Sequence, residues 1–365
     1  MADSVSPARV LDRIRRDLDR NRLRLRNGLK HLAGVGLPDV AKTPYETVWT
    51  RDKVRLNHYL SDNPKASPPV LLVMSLVSKG YILDLRPGNS FIEALMANGL
   101  DVYALDWGVP DAADAENSFE TYCDEYLPRA AEEVLAHSGA DDLLVYGYCF
   151  GAVLSLLFLA GHPEIPVRAF GIMATPVDFK LLGATNRMFA EGRIDVDDLV
   201  DETGNLPANY VLDGMKTLSV TGDLVGYANL LNRLDDSEYI AAHQALIGWA
   251  QDHIPFPGAC FRQTVDWLMK GDGLVRGEVE MGGRTVDLRS IDCPVLSVIG
   301  EVDHIVPPDA TKPIMDVLPD IEELRYKAGH VGLIVGKTAQ RNSIPGIAAW
   351  LLARCDPDTV PEAAR

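Results

Sequence analysis

Residues 143–164, LLVYGYCFGAVLSLLFLAGHPE, admit few folds. The first six residues read as a buried strand, and the dozen after the turn are apolar on every side, the pattern of a helix with no solvent face. Between them lies Gly147-Tyr148-Cys149-Phe150-Gly151. A strand and a helix joined this tightly approach each other closely, and glycines two positions either side of Cys149 remove the side chains that would hold them apart. The residue at such an apex is held in a strained backbone conformation. The spacing is that of the nucleophile elbow G-x-S-x-G with sulfur in place of the serine oxygen, so acyl chemistry through a thioester is expected.

Around this joint, strand and helix patterns alternate. ETVWTRDKVRLNHYL has strand or hairpin character, 68–78 reads as a buried strand, 91–100 as a helix ending at Gly99, and 101–108 as a strand. Residues 116–139 read as helical and 167–179 as another strand. Alternation of this kind implies a mostly parallel sheet with helices on both faces. The pattern breaks between about 180 and 285, where the chain is polar, helix-biased and punctuated by Gly and Pro. It resumes at CPVLSVIGEVDHIVPP, continues through ELRYKAGHVGLIVG, and ends in a helix near IPGIAAWLLARC. The expected architecture is an α/β-hydrolase fold with a cap inserted between late strands. Its parts are a basic helical segment over 1–42, a core over 43–179 and 286–355, a cap over 180–285, and a flexible tail over 356–365.

Bulk charge excludes some partners. The net charge is −17, so nucleic acid is not an expected ligand of the whole chain. Residues 9–30 nevertheless hold nine Arg and Lys against three Asp, and this basic segment is the natural candidate for docking to a partner or an anionic surface. No apolar run reaches transmembrane length and no secretory signal is expected. The five cysteines are scattered, with no C-x-x-C pair and no His/Cys cluster at zinc spacing, so free thiols, no metal and a cytoplasmic setting are expected.

Two later residues complete a constellation with Cys149. Asp303 follows the apolar run VLSVIG in a loop punctuated by Pro307 and Pro308. His330 follows a short strand, between Gly329 and Gly332. Alone, a buried Cys is usually a small hydrophobe and a loop Asp usually caps a turn. Together, in the order nucleophile, acid, histidine and each at the end of a strand, they read as a catalytic triad. The thiolate is the reactive form of Cys149, His330 is the base that takes its proton, and Asp303 orients His330 or acts through it on an incoming alcohol. Backbone amides of Phe150 and of Val77, or its neighbour Ser78, are the candidate oxyanion donors. His304, beside Asp303, either lines the site or faces away. Sulfur suits one kind of chemistry: exchange with a thioester donor is nearly energy-neutral, and later transfer to a hydroxyl runs downhill.

Several long stretches carry a family resemblance. They are TPYETVWTRDKVRLNHY, GYILDLRPGNSFIEALMANGLDVYALDWG, GYCFGA, ATPVDFK, DETGNLPAN, FRQTVDWLMKGDGLVRGEVEMGGRTVDL, DHIVPPDA and AGHVG. Over about residues 43–352 the chain resembles the catalytic subunit of the class III, two-component polyhydroxyalkanoate synthases. The resemblance implies an α/β-hydrolase-like fold with a cap. It implies an acyltransferase that polymerises (R)-3-hydroxyacyl-CoA, such as 3-hydroxybutyryl-CoA, into a polyester with release of coenzyme A. It places the family's nucleophile, acid and histidine on Cys149, Asp303 and His330, and the His of its Asp-His pair on His304. It also implies a second synthase subunit, a homodimer, association with storage granules, and no cofactor beyond the coenzyme A thioester that is the substrate. The chain departs from the family pattern at Phe150 and Ala152, where Gln and Gly are usual, which sets a bulky apolar side chain beside the nucleophile. The alternatives are a thioesterase or esterase of the same fold, and a granule-associated homologue that does not polymerise.

Overall fold

A computed structural model describes residues 22–25, 39–62, 65–218 and 233–361. Most of the expected basic segment therefore lies outside the described residues. The chain enters the sheet as a hairpin, β1 (Tyr45–Arg51) and β2 (Val54–Tyr59), paired antiparallel. It continues through β3 (Ala66–Val73), α1 (Phe91–Ala97), β4 (Leu100–Asp106), α2 (Leu127–Ser138), β5 (Leu143–Tyr148), α3 (Phe150–Gly161) and β6 (Val167–Met173). After a long excursion come β7 (Val295–Gly300), β8 (Ile321–Tyr326) and, last, α5 (Ile344–Leu352). The longest helix of the excursion is α4 (Ser237–Gln251).

The eight strands lie in the order β1-β2-β4-β3-β5-β6-β7-β8. From β4 to β8 every pair is parallel, and β2 runs antiparallel to both of its neighbours, β1 and β4. Alternation along the strands sorts the core into two layers. Leu71, Val73, Tyr103, Leu105, Leu143 and Val145 face the side covered by α2 and α3. Val70, Leu72, Val102, Ala104, Leu144 and Tyr146 face the side covered by α1 and α5. Ten consecutive residues of α3, Phe150 to Leu159, are buried, as its lack of a polar face predicts.

Three elements differ from the sequence expectations. The strand expected over 167–179 stops at Met173, because Ala174 turns to φ 50° and the next residues are held by Ala310, whose carbonyl accepts from the Val177 and Asp178 amides. The polar segment after it is not all helix. Glu278–Met281 and Arg284–Asp287 form an antiparallel ribbon across Gly282 and Gly283, both at positive φ, the turn chemistry of a two-residue hairpin. This ribbon lies against α3 and the core, where Arg284 pairs with Asp124 at 2.6 Å. Finally, residues 356–361 of the expected loose tail are tied to the sheet: Asp356 pairs with Arg168 at 2.6 Å, and the Thr359 hydroxyl accepts from the Ser67 amide at 2.9 Å.

Candidate active site

The β5–α3 joint carries Cys149 at φ 55° and ψ −124°. Its amide donates to the Met173 carbonyl at 2.9 Å, and its carbonyl accepts from Ala152 at 3.0 Å, so the strained turn is held from both sides. The glycines are a steric requirement. A Cβ on Gly147 would stand 2.5 Å from Ala152 Cα, and one on Gly151 would stand 2.2 Å from the Val73 carbonyl oxygen. Strand and helix touch through bare backbone, which aims the Cys149 thiol off the carboxyl end of the sheet.

Asp303 and His330 leave the ends of β7 and β8, the two strands beyond β6. Gly300 at the end of β7 allows the chain to turn under the Ala328 carbonyl, 2.6 Å from where its Cβ would lie. Asp303 is 3% exposed. Its Oδ1 accepts from the Ile305 and Val306 amides at 2.8 and 2.9 Å, which leaves Oδ2 to meet His330 Nδ1 at 2.8 Å. The Cys149 side chain lies close enough to the His330 imidazole to act on its pKa. The structure thus brings Cys149, His330 and Asp303 into one buried line.

The electrostatics follow from that line. Burial pulls the His330 pKa down, but the charges of Asp303 and Cys149 and their hydrogen bonds push it up to about 10. His330 is therefore an imidazolium at neutral pH. The other four cysteines have no such neighbour. Burial raises Cys123 and Cys260 well above the ordinary thiol range and pushes Cys293 and Cys355 up to about 12, which leaves them unreactive thiols.

The remaining expected residues fall less uniformly. Phe150 opens α3, so its amide has no carbonyl four residues back within the helix. Its ring does not stand open at the site. It is 6% exposed and packs against Phe119 at 5.9 Å and Phe256 at 5.4 Å. The Val77 amide points at the Ser75 hydroxyl at 3.4 Å, and Ser78 forms an isolated bridge with His253. His304 is exposed, and among the described residues no hydrogen bond ties it to the buried line.

Two features escape a reading of the sequence. Tyr148 donates its hydroxyl to the His330 carbonyl at 3.3 Å and sets its ring 5.1 Å from the imidazole, so the residue before the nucleophile also fixes the histidine loop. In addition, α4 is fastened onto the loop that follows β3. Trp249 Nε1 donates to the Lys79 carbonyl at 2.9 Å, Lys79 pairs with Asp252 at 2.8 Å, and the Tyr81 hydroxyl meets Asp252 at 3.2 Å. The proximity of Tyr148 to Cys149 was a usable signal for the first; nothing local marks the second.

Behind the histidine loop lies a cavity of about 630 Å³. Val331 and Gly332, the residues after His330, form part of its wall, with Leu246 of α4 opposite. Arg86, Arg233, Lys337 and Arg341 also line it. Among the described residues none of these four cations is joined to a carboxylate; Arg233 instead covers the Tyr239 ring at 4.9 Å.

Residues 68–337 match the α/β-hydrolase fold family, and residues 4–95 match the N-terminal region of poly-beta-hydroxybutyrate polymerase (PhaC). A poly(3-hydroxyalkanoate) polymerase subunit PhaC from Allochromatium vinosum is 34% identical over 341 residues, 91% of this chain and 94% of that one. One of the same name from Synechocystis is 32% identical, over 90% of each chain. Among solved structures, the monoacylglycerol lipase of Paleococcus ferrophilus overlays 83% of this chain and all of its own, at a TM-score of 0.52 and 15% identity, a likeness of fold alone. With a nucleophile elbow on a mostly parallel sheet and relatives this similar along nearly their whole length, the chain belongs to the PhaC family of poly(3-hydroxyalkanoate) polymerases, on the α/β-hydrolase fold.

Proposed function

We propose that this chain polymerises (R)-3-hydroxyacyl-CoA through a thioester on Cys149. The observation that carries the reading is a cysteine, not a serine, at the elbow, beside a histidine that is itself bonded to Asp303. The Cys149 thiolate attacks the acyl carbonyl of the substrate. The oxyanion that forms is met by the Phe150 amide, with Val77 as second donor once its amide turns from Ser75. Collapse of the intermediate breaks the bond to the coenzyme A sulfur, and His330 gives its proton to that leaving thiolate. The acyl group now sits on Cys149 as a thioester, and His330 is neutral. It then takes the proton from the hydroxyl of a second hydroxyacyl group, whose oxygen attacks the thioester. A new ester forms, Cys149 leaves as thiolate, and His330 is an imidazolium again. Asp303 holds Nδ1 throughout, which keeps Nε2 directed at the reacting atoms.

The cationic cavity beside the histidine loop supports a phosphorylated thioester donor, since four cations with no carboxylate partner among the described residues, set beside Leu85, Leu246 and Val335, suit the nucleotide end of coenzyme A. No cofactor is required by these steps. A second subunit, self-association and attachment to polymer granules are part of the same reading. Among the described residues no helix is long and apolar enough to cross a membrane.

The test is the product. The purified chain is given 3-hydroxybutyryl-CoA, with and without a candidate second subunit, and thiol release is followed together with the acid-soluble and insoluble products. Thiol release with insoluble polyester is expected. Thiol release with a stoichiometric amount of free hydroxy acid would overturn polymerisation in favour of a thioesterase. No thiol release under either condition would overturn both.

A further inference from the structure

At the far edge of the sheet, three side chains from three elements converge. Glu46 of β1 and His58 of β2 are directly paired across the hairpin, so both project from the same face. His137 lies in the last turn of α2, just before the left-handed Gly139 that ends the helix. Glu46 Oε1 is 3.4 Å from His58 Nδ1 and 3.7 Å from His137 Nε2, and the three atoms all lie within 4.8 Å of one another. Ligand atoms bound tetrahedrally at about 2.0–2.1 Å from a zinc ion stand about 3.3 Å apart. The observed separations are close to that edge length and longer than a good hydrogen bond.

The outer ring nitrogens are also engaged. His58 Nε2 is 2.9 Å from Asp101 Oδ1, and His137 Nδ1 is 2.8 Å from the Tyr103 hydroxyl. The His58 ring lies flat on Tyr103, with ring centres 4.4 Å apart, which fixes its rotation. Histidines that bind metal are held in this way, with one nitrogen on a carboxylate or hydroxyl and the other turned to the ion. When Nε2–H of His58 is given to Asp101, the Nδ1 lone pair faces the Glu46 carboxylate and is free to take an ion; when Nε2 instead accepts from the Lys65 ammonium, Nδ1–H donates to Glu46. The Lys65 ammonium lies 2.7 Å from Asp101 and 2.8 Å from His58 Nε2, and metal binding at Nδ1 requires it to be held by Asp101 rather than by the ring.

We propose that Glu46, His58 and His137 form a zinc-binding site with three protein ligands and a fourth position open to water. Two imidazoles and one carboxylate are a donor set that zinc accepts readily. The ion would tie the antiparallel edge hairpin to the C-terminal end of α2, and so pin the one edge of the sheet that has no parallel neighbour. It stands apart from the reaction. His58 pairs with Tyr103, Tyr103 with Leu71 and Leu71 with Val145, so the site is three strands across and several residues back from Cys149, roughly 15–20 Å. The role is structural and independent of the activity proposed above.

The experiment needs no turnover. The full chain is stripped with a chelator, titrated with zinc chloride by calorimetry, and compared with Glu46→Gln and His137→Gln, both exposed positions whose substitution leaves the core intact. The parent should bind one zinc ion more than either variant, and saturating zinc should raise its Tm by about 3–5 °C with no such rise in the variants. Any zinc taken up at Cys149 and His330 would remain in all three proteins and is removed by the difference. Equal zinc stoichiometry in parent and variants, or no binding below about 100 µM, overturns the proposal and leaves a proton as the species between Glu46 and the two histidines.

Discussion

Among the described residues Cys149 is one of five non-glycine residues at positive φ, and its ψ of −124° places it outside the ordinary left-handed well, a conformation that costs of the order of 1–3 kcal/mol. Surrounding contacts hold it there, and Gly151 is the tightest of them. In Gly151→Ala the new methyl would meet the Val73 carbonyl and Met74 backbone at 2.2–2.7 Å, and no flexible side chain is available to yield. This variant should lose about 1–3 kcal/mol or more, seen as a lowered denaturation midpoint, whereas Gly214→Ala, with open space around its Cβ, should be near neutral. The charge on His330 makes a second prediction. Its pKa is raised to about 10 against the pull of burial by Asp303 and Cys149, so Cys149→Ala should bring it down, measurable by NMR titration of the imidazole. The sign for stability follows: a raised histidine pKa stabilises the fold fully below the unfolded value of 6.5 and ceases to do so as pH climbs through about 10. Removing the sulfur should therefore flatten the stability profile of the parent between those limits. Cys149→Ala should also abolish covalent acyl loading, and Cys149→Ser should lose about a hundredfold or more in turnover, because a hydroxyl is far harder to deprotonate.

At the scale of elements, legibility tracked locality. The elbow, the Asp303 loop and the His330 loop could each be read because the residues that shape them are adjacent: Gly147 and Gly151 around Cys149, Gly300 and two prolines around Asp303, Gly329 and Gly332 around His330. The ribbon at 278–287 was also marked, by Gly282-Gly283 between alternating strands, but a helix-biased reading of the surrounding segment passed over it. What no local pattern could supply is the fastening of α4 to the loop after β3. Trp249 and Lys79 lie 170 positions apart in the chain, and an indole on a carbonyl has no periodicity. That fastening joins the excursion between β6 and β7 to the loop that carries Val77. Asp252→Asn removes the ion pair with Lys79 while keeping size, and Trp249→Phe removes the hydrogen bond while keeping most of the packing. In the proposed mechanism each should lower kcat by about tenfold through a misplaced second oxyanion donor, with KM little changed and Tm lowered by only a few degrees. A kcat equal to the parent's in both variants would show that α4 covers the loop without positioning it.

Across the whole molecule, the charge distribution opposes the proposed substrate. A chain of net charge −17 repels a coenzyme A thioester, so in the proposed function binding rests on a local field of the opposite sign. The cavity behind the histidine loop supplies one, with Arg86 and the exposed Arg233, Lys337 and Arg341 gathered around Leu85, Leu246 and Val335. Asp236 and Glu238 stand at the same rim, but Asp236 accepts from the Tyr239 amide at 3.0 Å to cap α4, which directs its charge into the helix end. The groups are exposed, so each phosphate contact should be worth only a modest factor and should weaken with salt. Lys337→Gln and Arg341→Gln should each raise KM for 3-hydroxybutyryl-CoA about three- to tenfold and leave kcat unchanged, since neither residue touches the line from Cys149 to Asp303. The same variants acting on 3-hydroxybutyryl-pantetheine, which lacks the nucleotide, should match the parent. Equal KM changes for both substrates would mean that the cations shape the cavity without meeting phosphate. Raising the ionic strength should reproduce the effect of the substitutions on the coenzyme A thioester in the parent and add little in the double variant, because the field that salt screens would already be gone.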